Sequence, residues 1–199
     1  YSLDYSRFLL VKRSFMNKLI VFFAMALSYS LFASASNIKS ELNNNLGELN
    51  EQFKFHQVGQ ATLSFLFWDL YKSRLLTTSG KYPINENNDK LIYEINYLRD
   101  ISKDDLVDRT VEQWQHLELP SQSYQKFIPQ LQQIWPDIIE GDTLSLFIDN
   151  KTSFFYFNKV HIGRIDDPTF GQIFLDIWLA EKTSQPKLRS QLLGQTNHE

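Results

Sequence analysis

Residues 91–99 read LIYEINYLR, with Leu91, Tyr93, Ile95 and Tyr97 alternating against Ile92, Glu94, Asn96 and Leu98. A period of two places apolar side chains on one side of a strand. After Asp100 the period changes: Leu106, Thr110, Val111, Trp114 and Leu117 recur at helical spacing, with Ser102 or Asp104 available as N-cap. Pro120 ends that helix. A second is predicted from Ser121 or Ser123, with Tyr124, Phe127, Ile128, Leu131, Ile134 and Trp135 inward, kinked or split at Pro129 and stopped at Pro136. A chain that switches period in this way carries both strands and helices.

The rest of the chain extends that reading. Segments 53–66 and 67–77 are rich in β-branched and aromatic residues and read as two strands joined near Leu66–Trp68. Segments 143–149, 152–158 and 159–165 are three more, the first two joined at Asn150-Lys151. Asp167-Pro168 reads as N-cap and first helical residue of a helix over 168–180 that buries Phe170, Phe174, Ile177 and Trp178. A last helix starts at Ser184 and Pro186 and closes at Gly194. Strands, two helices, strands, two helices: the order predicts one α+β domain over 53–199 with an antiparallel sheet. Residues 36–52 are a polar lead-in, read as a loose helix on Leu42, Leu46 and Leu49.

The N-terminus bears on where the protein works. Met16 and Lys18 precede an uncharged run from Leu19 to Phe32, and Ala33-Ser34-Ala35 follows. That three-part layout predicts a signal peptide over 16–35, too short to be read as a bilayer span, with residues 1–15 an upstream extension. The chain has 20 basic and 23 acidic residues; removing 1–35 takes away four basic and one acidic residue and leaves a net charge of −6. An acidic chain without cysteine suits an oxidising compartment, and a bacterial periplasm is expected. Zero Cys excludes disulfide frameworks, iron–sulfur clusters and thiolate zinc sites, and the negative charge gives no footprint for nucleic acid. No membrane span is expected once the signal is removed.

Chemistry-bearing motifs are sparse. There is no phosphate-binding Gly-rich loop, nucleophile elbow or HExxH. His56, His116, His161 and His198 are never four residues apart, so no metal or cofactor is expected. Asp104-Asp105 and Asp166-Asp167 precede helices and read as caps. The better lead is aromatic: Trp68, Tyr71, Tyr93 and Tyr97, with Arg74 nearby, suit a cleft for an amphipathic ligand, or else a packed core between sheet and helices. Arg99-Asp100 at the strand end is able to hold an anion or to close an internal salt bridge.

Four stretches carry a resemblance: GQATLSFLFWDLYKSRL, LIYEINYLRDISKDDLVDR, IIEGDTLSLFID and, most specifically, GRIDDPTFGQIFLDIWLAEKTSQPKLRSQLLG. Over residues 57–194 the chain resembles chalcone isomerase-like proteins, the exported bacterial ones in particular. The resemblance implies an open-faced sandwich, a large antiparallel sheet with helices packed on one side. It implies either cyclisation of chalcones to flavanones or binding of fatty acids without turnover. In the enzymes an arginine near the start of the first long core strand meets the substrate's anionic oxygen. Counting back from Tyr71, that position falls at Gln60, and the threonine of the family's Phe-Thr pair falls at Lys72. An amide in place of the guanidinium removes a stabiliser of the kind worth about 2.7–4 kcal/mol at a transition state, unless Lys72 or Arg74 replaces it. The expectation is therefore a small apolar or amphipathic ligand, fatty-acid- or flavonoid-like, held on Trp68, Tyr71, Tyr93 and Tyr97 without catalysis. Gln60, Lys72 and Arg74 are the candidates if lyase chemistry survives. A third possibility is an envelope interaction protein that uses the fold as a scaffold.

Overall fold

The computed structural model describes residues 45–85 and 88–195. The expected extension 1–15, signal segment 16–35 and first part of the lead-in, 36–44, lie outside those residues, as does His198. In chain order the elements are α1 (Leu46–Phe53), β1 (His56–Phe65), β2 (Trp68–Thr77), β3 (Leu91–Tyr97) and α2 (Lys103–His116). Then come α3 (Ser121–Tyr124), a 3-10 turn (Gln125–Phe127), α4 (Ile128–Ile134), β4 (Thr143–Asp149), β5 (Thr152–Phe157), β6 (Val160–Ile165), α5 (Phe170–Leu179) and α6 (Pro186–Leu192).

The six strands form one antiparallel sheet in sequence order, each pair joined by the segment between them. Alternation decides which side chains meet the helices. Leu75, Tyr93, Leu146 and Phe155 are opposite one another across β2 to β5, and the row ends at Gly163 on β6. All four are buried in the main core together with Trp114, Phe127, Leu131, Phe170, Phe174 and Leu192 from α2 to α6. Glycine closes the row for a packing reason: a Cβ at Gly163 would lie 2.7 Å from Cγ1 of Ile134 at the end of α4. Gly59 is tighter still, since its Cβ would lie 2.2 Å from the Gln191 carbonyl oxygen and 2.4 Å from that of Leu192. There the backbone of α6 rests directly on β1.

The split expected at Pro129 is present, with Pro129 in the first turn of α4. Ser102 caps α2, its Oγ accepting from Asp105 N at 3.1 Å and donating to the Asp105 carboxylate at 2.6 Å. The start of α5 differs from the sequence expectation by two residues. Asp167 does not cap the helix; its Oδ1 accepts from Thr169 N at 2.9 Å and Thr169 Oγ1 at 2.6 Å, closing a turn ahead of Phe170. Hydrogen bonds from Lys126 and then Thr169 hold that carboxyl down at about 2.

The lead-in helix has a definite place. Asn45 caps α1, accepting from Gly47 N at 2.8 Å. Leu46 and Leu49 pack on Ile92, Phe147 and Tyr156, whose alternation puts them on the face away from α2 to α6. Phe53 and Phe55 flank Phe147, with ring centroids 6.5 and 6.1 Å away. Burying each leucine contributes about 1.5–3 kcal/mol. One half of this second face is thus covered; the half carrying Gln60, Lys72 and Arg74 is open.

Candidate functional site

A cavity of about 310 Å³ lies between the sheet and the helices, at the small end of the roughly 300–1,000 Å³ range of ligand sites. Its walls are apolar: Leu63 from β1, Ile95 from β3, Leu144 from β4, Trp135, Phe174 and Ile177. Tyr71 and Tyr97 stand in the lining side by side, ring centroids 6.0 Å apart. The exposed members of the lining, Arg99, Asp100, Arg109 and Gln185, mark the rim.

The polar groups inside are few and mostly committed. Trp178 Nε1 donates to Tyr71 Oη at 2.8 Å. Thr110 Oγ1 donates to the Leu106 carbonyl at 2.9 Å, and Ser184 Oγ donates to Gln113 Oε1 at 2.6 Å. The indole N–H of Trp135, buried in the cavity wall, has no acceptor among the described residues. Burial raises the Tyr71 phenol to about 12 against the opposing hydrogen bond from Trp178, and burial raises Tyr97 further. Both hydroxyls are therefore protonated donors at neutral pH rather than bases.

Two guanidinium groups reach the rim. Arg99 leaves the end of β3, lies 5.0 Å over the Trp68 ring and makes a loose 3.8 Å pair with Glu140. Arg109, on the second turn of α2, pairs with Glu112 at 2.8 Å. Asp100 does not pair with Arg99; its Oδ1 accepts from Glu140 N at 2.8 Å. Both cations are solvent-exposed, so each contributes about 1 kcal/mol at most to holding an anion. Every methylene withdrawn from water contributes about 0.8 kcal/mol. The walls would set affinity, and the rim would set orientation.

The sequence-predicted residues separate into two groups. Tyr71 and Tyr97 line the cavity. Tyr93 is on the same face but lies beneath it, fully buried against Trp178 at 4.6 Å between ring centroids. Trp68 is at the β1–β2 turn, exposed and outside the lining. Gln60, Lys72 and Arg74 are not in the cavity. They alternate with Ala61, Ser73 and Leu75 and so project from the opposite face, into an open trough that also holds Glu94 and Asn96. Arg74 is engaged there by Glu94, through Nε and Nη2, each at 2.8 Å. The expectation that the pocket lacks a permanent cation is corrected: strand β1 supplies none, but the segment after β3 supplies Arg99 and α2 supplies Arg109.

Arg109, Trp135 and Trp178 were missed as site residues. Arg109 was legible in one respect, since 106, 109, 110 and 113 share one side of a helix at spacings of three and four. The tryptophans carried no signal distinguishing a cavity wall from a filled core. His56 and His116 are exposed, and His161 is half-buried between Phe154 and Tyr156. Among the described residues no three His, Asp or Glu side chains converge as a metal site.

The chalcone isomerase-like family profile matches residues 41–194. An uncharacterized protein of Haemophilus influenzae is 27% identical over 144 residues, which is 71% of this chain and 70% of that protein. A solved structure, a fatty-acid binding protein of Arabidopsis thaliana, superposes with a TM-score of 0.55 at 11% identity, over 70% of this chain and 86% of its own. At that identity the likeness speaks for the fold. The fold is an open antiparallel sheet with α2 to α6 on one face and α1 on the other, and the family match runs through every described strand and helix, from α1 to α6. By that match, the chain belongs to the chalcone isomerase-like family.

Proposed function

We propose that this protein is an exported, non-catalytic binder of one amphipathic molecule, with an apolar tail between sheet and helices and an anionic head at Arg99 and Arg109. The observation that carries the reading is the apolar cavity of about 310 Å³ with both guanidinium groups on its rim. The Arabidopsis fatty-acid binding neighbour points to the same ligand class. Catalysis is disfavoured by the interior itself: its phenols stay protonated near neutral pH, and the cations sit in water, where an oxyanion gains little from them. The test is displacement of a fluorescent fatty acid by unlabelled acids of increasing length. Affinity should rise with each added methylene and level off once the cavity is full. No uptake at any length, checked by native mass spectrometry, removes the proposal.

The same rim supports a second reading. Two cations beside two phenol donors are the components needed to stabilise a phenolate adding across a conjugated double bond, as in chalcone cyclisation. Loss of the chalcone absorption band faster than the spontaneous rate would favour it; an unchanged rate excludes that substrate.

Export to the periplasm rests on the layout of residues 16–35. N-terminal sequencing of protein recovered from the periplasm should begin at Ser36, and recovery of an intact N-terminus from the cytoplasm would overturn it.

A further inference from the structure

We infer that the β1–β2 hairpin is a wedge that inserts into the interfacial layer of a lipid bilayer. This goes beyond ligand binding and does not depend on it. Phe65, Leu66, Phe67 and Trp68 are consecutive and all exposed, Phe67 at 96%. Among the described residues the other exposed large apolar side chains are Ile139 and Val160. All six lie at one end of the sheet. β1 ends at Phe65, β2 begins at Trp68, β3 ends at Tyr97, β4 begins at Thr143 and β6 begins at Val160. Ile139 is kept at that end by the bond from Gly141 N to the Tyr97 carbonyl, 2.9 Å.

The turn itself runs against local preference. Leu66 has φ of 55°, in the left-handed region where glycine or asparagine is at ease and a bulky side chain is not. Little burial offsets that cost, since the residue is 77% exposed. The hairpin is nonetheless held firmly: Ser64 Oγ donates to Asp69 Oδ1 at 2.6 Å across the two strands, one pair below the tip. A stiff, convex projection of three large apolar residues and a tryptophan fits the boundary between headgroups and acyl chains, where tryptophan is favoured.

Charge at this end is mixed, and Arg99 is the cation beside the tip. Arg99 lies over the Trp68 ring, at the base of the wedge, and makes a loose 3.8 Å pair with Glu140. The acids Asp69, Asp100 and Asp142 already accept hydrogen bonds from Ser64, Glu140 N and Ile139 N. With the tip among acyl chains, Arg99 would meet lipid phosphates. Leu63 and Leu70, a few residues below the tip, line the cavity, so the wedge would bring the cavity rim to the membrane surface.

The chain offers its own probe, because the other three tryptophans, Trp114, Trp135 and Trp178, are buried. The full chain is mixed with phosphatidylcholine vesicles, and the Trp68 contribution is isolated by difference from Trp68→Phe. Blue-shifted emission and quenching by brominated acyl chains are expected. The double variant Leu66→Asn, Phe67→Ser should partition at least about tenfold more weakly, with thermal stability unchanged or higher, because asparagine suits the turn. Phosphatidylglycerol should strengthen binding of the parent and not of Arg99→Gln. Emission of Trp68 that ignores vesicles overturns the proposal, and so does equal binding by the double variant, which would assign binding to another segment such as 19–32. A shift that appears with protein concentration alone, without lipid, makes the tip a contact between copies of the chain and overturns it equally.

Discussion

The hydrogen bond from Trp178 Nε1 to Tyr71 Oη joins α5 to β2 across the cavity wall. Tyr71→Phe keeps the ring and leaves a buried N–H with no acceptor, which costs about 1–3 kcal/mol. Thermal unfolding should show that loss, while the partial reverse, Trp178→Phe in the same background, should recover part of it. At the rim the arithmetic is smaller. Arg99→Gln and Arg109→Gln should each weaken binding of a fatty-acid anion about fivefold, or ~1 kcal/mol, and added salt should erase the difference. Titration of the two variants at low and high salt checks this, and neither should alter the dependence of affinity on chain length.

Gly59 governs how an entire element is seated. With backbone carbonyls of α6 where its Cβ would go, Gly59→Ala forces α6 off β1, at a cost of at least ~1–3 kcal/mol. Hydrogen exchange should quicken across residues 186–192 before it does in the central strands. At this scale the sequence was largely readable, and for a reason. Strands β2 and β3 alternate because their inner-face side chains are buried beneath the helices, whereas β4 and β5 bury residues on both faces, and the proline at 129 is incompatible with an uninterrupted helix. The start of α5 was misplaced because an aspartate can bind the amides of a tight turn as readily as those of a helix. The lead-in was read as loose because its three leucines give too narrow a stripe to indicate a partner. That partner, the Ile92–Phe147–Tyr156 patch, is recognisable only once the sheet has been assembled. The site was less legible for the same reason. Tyr71 and Tyr97 followed from alternation, but Arg109 depends on where α2 lies, and Trp68 on a hairpin extending past the end of the sheet.

For the molecule as a whole, several described phenols are buried, and this sets its response to base. Burial holds the protons of Tyr71 and Tyr156 to about 12, and those of Tyr93 and Tyr97 more firmly still. Unfolded, all four would ionise near 10.0. Between those limits the unfolded chain has released protons that the folded chain retains, so the contribution of these phenols is constant well below pH 10 and stability falls as pH rises above it. In an alkaline titration the phenolate absorbance of these residues should lag and then jump with cooperative unfolding. A smooth rise while the fold persists would contradict their burial.

Helix α1 also has a consequence for handling the protein. With Phe53 and Phe55 it covers an apolar panel of Ile92, Phe147, Phe154 and Tyr156 on the outer face of the sheet, Leu46 and Leu49 being buried there. A chain trimmed to start at His56 would keep every strand and all the helices of the inner face, yet it would bare Phe147, Phe154 and Ile92 to water. Such a shortened protein should fold and then pair back to back through that panel, sedimenting as larger species than the longer chain does.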